Sequence, residues 1–214
     1  MADDYFPDKR DVLVVRVKHP TDNLEFYVMA VHAKSRFGGR ATTDPRRIAA
    51  ARIMVQKLKA GYPGKPFVLL GDFNDNPDDE SMNILETGDP NAVAGPEEIP
   101  EQFLVNLTEP LCAAGHVSHG LKSDAIRKDD PNLVNTIDPN SRMRNNRWRG
   151  TDKNTGDILF DQILIPSWMV SAYTQGSCKV FDKAVAVKGN DTTRASDHVP
   201  VYADFVFTEE ICGD

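Results

Sequence analysis

The sequence predicts an α/β domain in which strands and helices pack as layers. Three observations carry this expectation: two strand-like runs close together near the N-terminus, one long run with helical spacing, and a short apolar run that stops abruptly at polar residues.

Val12 to Lys18 (VLVVRVK) and Leu24 to Val31 (LEFYVMAV) read as strands, joined by the turn-forming His19-Pro20-Thr21-Asp22-Asn23. So short a connection predicts an antiparallel hairpin. A helix is expected next, with Asp44 as its cap, Pro45 in its first turn and Gly61 at its end. Ile48, Ala51, Val55 and Leu58 share one stripe of that helix, which turns Arg46, Arg52, Lys57 and Lys59 outward. Phe67 to Leu70 is apolar throughout, as in a strand buried on both faces, and Asp79 to Leu85 reads as a second helix. Residues 87–157 are rich in Pro, Asn, Asp and Gly and read as long loops with scattered short elements. Strand pattern returns at Leu159 to Ile165 and at Val199 to Phe207, the latter with Val199, Val201, Ala203, Phe205 and Phe207 on one face.

At 214 residues, with 40% hydrophobic and 27% charged, the chain fits a single domain over residues 1–214 with a sizeable core. No apolar run approaches the ~20 residues a membrane helix needs. The start, MADDYFPDKR, lacks the apolar stretch of a signal peptide, although chain start and native start can differ, so secretion stays open. Cys112, Cys178 and Cys212 are widely spaced and read as reduced thiols. Asn106 and Asn190 head glycosylation-type triplets, for which chance is the simpler reading.

The net charge of −7 argues against broad, non-specific grip on nucleic acid. The charge is unevenly spread, however. Lys34 to Lys65 holds nine basic residues against Asp44, and Arg142 to Lys153 holds five against Asp152, whereas Asp75 to Glu101 holds nine acids and no Lys or Arg. A polyanion can therefore meet a locally positive surface, and solvated helix and loop faces explain the same runs equally well.

Four places break the apolar pattern at strand ends. His32 follows Val28-Met29-Ala30-Val31, Asp72 and Asn74 follow the apolar run at 67–70, Asp161 interrupts an apolar run, and Asp197-His198 precedes the last strand. Partly desolvated carboxylates and imidazoles need a partner or a metal. Singly, each has an ordinary explanation: a satisfied core histidine, a turn cap, a left-handed turn residue, an acid held by backbone amides. Jointly they point to one sheet edge and to phosphoester hydrolysis. Carboxylate and amide oxygens are hard ligands suited to Mg²⁺ or Mn²⁺, an Asp–His pair supplies an oriented imidazole, and a further acid can activate water.

The runs Ala30-Val31-His32-Ala33-Lys34-Ser35, Gly71-Asp72-Phe73-Asn74-Asp75, Phe160-Asp161-Gln162-Ile163-Leu164 and Ser196-Asp197-His198-Val199-Pro200-Val201 resemble the endonuclease/exonuclease/phosphatase superfamily, in that family's order. The match runs from residue 12 to residue 207. The resemblance implies a DNase I-like four-layer sandwich, two mixed β-sheets flanked by helices, with the site at the sheet edges. It implies catalytic roles for His32, Asp72, Asn74, Asp161 and His198. Asp197, Asp72 and Asn74 would be ligands for Mg²⁺ or Mn²⁺. Lys34, Arg36 and Arg149 are the candidate substrate contacts, and Lys34-Ser35 is similar to secreted and periplasmic bacterial nucleases. A phosphodiesterase acting on nucleic acid is the leading expectation. A phosphomonoesterase or lipid phosphodiesterase of the same superfamily, or a catalytically silent fragment needing a second chain, are the alternatives. Zinc held by His116 and His119 is a further reading with no supporting Cys or His cluster nearby. The sequence departs from the family in three respects: no strand bearing an Asn, and no Gln-Glu pair with the metal-binding Glu, precedes Val12; the acid that commonly pairs with the first His is missing; and the acidic segment after Asn74 and the loop to Asp157 are longer than expected. The family's leading strands are therefore expected to be absent, and this chain alone is expected to bind Mg²⁺ poorly and to be nearly inactive.

Overall fold

The computed structural model describes residues 10–20, 24–36, 39–95, 102–114, 116, 118, 159–181 and 198–212. Its centre is a five-stranded mixed sheet in the order β1-β2-β3-β5-β4. Here β1 is Leu13–Lys18, β2 Glu25–His32, β3 Phe67–Asp72, β4 Leu104–Asn106 and β5 Asp161–Pro166. The predicted hairpin forms, with Leu13 opposite Ala30 and Lys18 opposite Glu25. β3 runs parallel to β2 through the crossover helix α1 (Arg40–Gly61), and β5 runs antiparallel to β3.

Alternation along the strands divides the core in two. Met29 and Val31 of β2, Phe67 and Leu69 of β3 and Leu164 of β5 pack against Ala50, Ala51, Met54, Val55 and Leu58 of α1 and Met82, Ile84 and Leu85 of α2 (Glu80–Thr87). On the opposite face Val68, Ile163 and Ile165 meet Met169 and Cys178, with Val201, Ala203, Phe205 and Phe207 packed against them. β3 is thus covered on both sides, as its apolar sequence requires. The expected face at 199–207 exists, since alternate residues are exposed along it. Regular pairing there is short: β7 (Val201–Tyr202) pairs with β6 (Lys179–Val180), and Phe205 bridges to Tyr173. Two short helices, α3 (Glu109–Ala113) and α4 (Glu209–Cys212), complete the described elements with a 3₁₀ helix at Ser167–Ala172.

One expectation needs correction, while the chance reading of the Asn106 triplet is supported. Helix α1 begins at Arg40, not at Asp44, and Pro45 lies inside it. Asp44 is claimed by Arg40 and Arg47, one turn away on either side, and so is not available as a cap. The Asn106 triplet is no glycosylation acceptor in this fold. Asn106 is buried and its amide donates to Glu86 and Gln162, both at 2.6 Å. Asn190 lies outside the described residues.

Candidate active site

The strand ends converge as the sequence predicts. In the sheet register His32 of β2 stands beside Asp72 of β3, and Asp72 stands beside Asp161 of β5. His198, arriving from the chain before β7, completes the group. Its Nδ1 donates to Asp161 Oδ2 at 2.6 Å, which turns Nε2 toward Asp72. Asp72 Oδ2 then has His32 Nε2 at 3.5 Å and His198 Nε2 at 3.9 Å. Those spacings leave room for a bridging water or phosphate oxygen. The His32 ring is half exposed, while Asp72, Asp161 and His198 retain 14%, 22% and 25% side-chain exposure, so the group opens to solvent on a desolvated floor.

Asn74 shapes Asp72. Its backbone N–H donates to Asp72 Oδ1 at 2.8 Å and its Nδ2 to Oδ2 at 3.0 Å, with a further bond from Nδ2 to the Ala33 carbonyl at 3.1 Å. It adopts a left-handed backbone, φ 55°, where Asn is among the best tolerated residues. The ordinary readings of both residues as turn formers therefore hold. Gly71 is demanded by geometry: its φ is 134°, and a Cβ there would lie 2.1 Å from the Val31 carbonyl oxygen.

The electrostatics of His32 are set chiefly by burial, which holds its pKa below the ordinary histidine value. The charge of Arg10 adds to this, its Nη1 lying 3.1 and 3.2 Å from the two ring nitrogens; His198 acts the same way and Asp161 opposes. A neutral His32 facing a carboxylate-oriented His198 separates two roles. The first accepts or donates a hydrogen bond as a neutral ring. The second is oriented by its bond to Asp161.

Behind these side chains lies a buried ionic layer that sequence reasoning missed. Arg36, expected to contact substrate, is turned inward at 2% exposure. Its Nε donates to the Asn74 carbonyl at 2.8 Å, its Nη2 to Asp75 at 3.1 Å and also to Asp79. Its guanidinium lies over the Phe160 ring at 4.9 Å. Arg47 reaches Asp75 at 2.7 Å and donates to the Lys34 carbonyl at 2.8 Å. Burial pushes the Asp75 carboxyl up to about 6, against the pull of Arg47 and Arg36. Arg36, Arg40 and Arg47 of the basic run thus pair with Asp75 and Asp79 of the acidic run. Lys34 stays half-buried at the surface two residues past His32. Ser118 was also missed, and no sequence signal marks it. Buried completely, it accepts from the Asp161 N–H at 2.9 Å and offers its carbonyl to the Val199 N–H at 2.7 Å, tying together the segments that carry Asp161 and His198. Asp197, Arg149 and His119 lie outside the described residues.

For a divalent metal, Asp72 and Asn74 bring the hard oxygen chemistry that Mg²⁺ or Mn²⁺ prefers. Among the described residues, however, no group of three or more His, Cys, Asp or Glu is arranged to hold an ion. The donor type fits, and the described residues form part of a donor set rather than all of one.

The chain matches the Endonuclease/Exonuclease/phosphatase family over residues 2–205. It belongs to that family. The family's phosphoesterase fold is the one described above. Among solved structures it is similar to D. rerio TDP2 in complex with a single-strand DNA product, at 18% identity and a TM-score of 0.53, over 92% of this chain and 61% of that one. It is also similar to the Bacteroides thetaiotaomicron mannosyl-6-phosphatase Bt3783, at 16% identity and TM-score 0.46, over 91% of this chain and 56% of that chain. The Xenopus laevis APE2 catalytic domain matches at 12% identity and TM-score 0.45, over 91% and 54% respectively. Likeness at these identities speaks to the fold alone. This chain spans about three fifths of the D. rerio protein's length. No curated protein matches it.

Proposed function

We propose that the chain hydrolyses a phosphodiester, with nucleic acid as the substrate class, by attack of a water molecule activated by Asp72. One observation carries the reading: the Nε2 atoms of His32 and His198 flank a single carboxylate oxygen of Asp72, at 3.5 and 3.9 Å. Asp72 takes a proton as the water oxygen bonds to phosphorus. The bond from phosphorus to the leaving oxygen breaks, and that oxygen receives a proton. His198 is suited to supply it, because Asp161 supports its protonated form. His32, held neutral, binds the scissile phosphate through its ring. Asn74 keeps both Asp72 oxygens aimed, and Lys34 and Arg149 are the proposed contacts to flanking phosphates. Mg²⁺ or Mn²⁺ is the proposed cofactor, with Asp72, Asn74 and Asp197 contributing to its site, and when bound it neutralises phosphate charge.

The single-strand DNA product seen with D. rerio TDP2 supports a nucleic acid as substrate. The consumption of Arg36, Arg40 and Arg47 by Asp44, Asp75 and Asp79 favours a second reading, a small phosphomonoester that needs no extended basic surface. Turnover of an oligodeoxynucleotide, bis(p-nitrophenyl) phosphate and p-nitrophenyl phosphate in Mg²⁺, Mn²⁺ or EDTA separates the two. Weak metal-dependent cleavage of the diesters, abolished in Asp72→Ala, is the expected result for this chain. Cleavage of the monoester alone moves the reading to a phosphomonoesterase, and no turnover under any condition overturns the hydrolase reading for this chain.

A further inference from the structure

We propose that Arg36 is a positioning residue, which fixes the aim of Asp72 from beneath the active site. This rests on the hydrolase reading for its catalytic consequence, though not for its structural one.

The turn after β3 is the most heavily held backbone near the site. The Asn74 carbonyl accepts from Arg36 Nε at 2.8 Å, and the Asp75 carbonyl accepts from Gln162 Nε2 at 2.6 Å. The Asn76 N–H donates to Asp79 at 2.7 Å, and the Asn76 side chain accepts from the Leu159 N–H at 2.9 Å. Of these clamps, only Arg36 acts on Asn74 itself. Asn74 in turn is the residue whose N–H and Nδ2 hold both oxygens of Asp72. A rotation of the left-handed Asn74 peptide would swing its N–H off Asp72 Oδ1. The Asn74 carbonyl belongs to the next peptide plane, so the Arg36 bond opposes that rotation by fixing the Asn74 φ and ψ that couple the two planes.

Arg36 also bears on the other half of the site. Its guanidinium covers Phe160, whose carbonyl accepts from the Phe73 N–H at 2.9 Å and which directly precedes Asp161. One planar cation therefore touches the segments that carry Asp72 and Asp161, the two carboxylates on either side of His198 Nε2 and Nδ1. A lysine offers no fork and no planar face, so it cannot hold the Asn74 carbonyl, two carboxylates and the Phe160 ring together. The ionic partners Asp75 and Asp79 keep the guanidinium in place with the side chain 2% exposed.

Arg40 is the natural control. It shares Asp79 with Arg36, at 2.7 Å, and pairs with Asp44, yet among the interactions described it makes none with Asn74 or Phe160. The experiment compares Arg36→Lys, Arg36→Met and Arg40→Ala in the whole chain. It reads kcat and KM on bis(p-nitrophenyl) phosphate, thermal stability, and hydrogen exchange at the Asn74 N–H. Both Arg36 variants should lower kcat ~10- to 100-fold with KM little changed, as a sub-ångström misplacement of a catalytic group does. Both should speed Asn74 exchange beyond any global loss of stability. Arg40→Ala should lower the melting temperature without either effect. Equal losses of kcat and equal Asn74 exchange in Arg36→Met and Arg40→Ala would reduce Arg36 to a general structural ion pair. So would an Arg36→Lys protein with unchanged kcat and Asn74 exchange. If the unmodified chain turns over no phosphoester, the hydrolase reading falls, and Asn74 exchange alone then decides the role of Arg36.

Discussion

Replacing Gly71 by alanine should damage both the stability of the sheet and the spacing of the site. The Cβ it adds would stand 2.1 Å from the Val31 carbonyl oxygen and 3.0 Å from the Val31 nitrogen and carbonyl carbon. These are backbone atoms one pair from the end of the β2–β3 ladder, where Val31 lies opposite Gly71, and no side chain can move aside. Relief requires either separating the strands by about 1.4 Å, from 2.1 Å toward ordinary ~3.5 Å contact, or abandoning the φ of 134°. Holding a non-glycine residue in such a conformation costs about 1–3 kcal/mol, and forced overpacking about the same again. The sum, roughly 2–6 kcal/mol, is a large part of the ~5–15 kcal/mol that holds a domain folded. At roughly 2–4 °C per kcal/mol for a chain of this length, the melting temperature should fall by about 5–20 °C. His32 and Asp72 form the next register pair, so the 3.5 Å spacing between them should also be lost. Urea unfolding and thermal melts followed by circular dichroism measure the first effect, and residual diester turnover of the folded fraction measures the second. A loss under ~1 kcal/mol, in the range of ordinary surface substitutions, would refute the close approach of β2 and β3 described here.

Three further outcomes follow. Asp161→Asn should leave the fold intact and cut turnover ~10²–10⁴-fold, because His198 then loses the carboxylate that orients its ring; activity within a few-fold of the unmodified chain would exclude the Asp161–His198 pair from the mechanism. Nuclear magnetic resonance titration of His32 should give a midpoint below the usual ~6.5, raised by Arg10→Ala, since burial and then Arg10 depress it. With the folded value below the unfolded one, the unfolded chain binds more protons between the two. The His32 contribution to stability is therefore complete above ~6.5 and lost as pH falls toward the folded value, and a midpoint at or above ~6.5 contradicts this. Asn74→Ala should lower turnover by ~10-fold or more and cost stability, since it removes Nδ2 from Asp72 and from the Ala33 carbonyl; unchanged kinetics would show that Asp72 needs no such support.

Most of the sheet was legible because the strands obey simple periodicity. Phe67 to Leu70 reads as buried on both faces and is, and the five alternating residues from Val199 to Phe207 do share a packed side. The site was legible for a related reason: polar residues at the ends of apolar runs need partners, and in this sheet the partners are one another. What escaped was the ionic layer. Nothing in the local pattern distinguishes buried Arg36 and Arg47 from exposed Arg46 and Arg52, because their burial depends on acids roughly 30–40 residues away. The start of α1 was misplaced for a local reason, since Asp44 pairs with Arg40 and Arg47 one turn away on either side. Ser118 carries no signal at all, being a lone hydroxyl that earns its place only through the fold around Asp161.

The central claim is that Asp72, Asp161 and His198 act as one phosphoester-hydrolysing unit. It is tested most directly by diester turnover of Asp72→Ala, Asp161→Asn, His198→Ala and the Asp161→Asn/His198→Ala pair, each verified as folded. Groups that act as a unit are strongly non-additive. Each single change should cost ~10²–10⁴-fold, and the paired change should cost little more than His198→Ala alone. Losses that multiply in the paired variant, or any of the three single variants retaining near-normal turnover, would contradict the account.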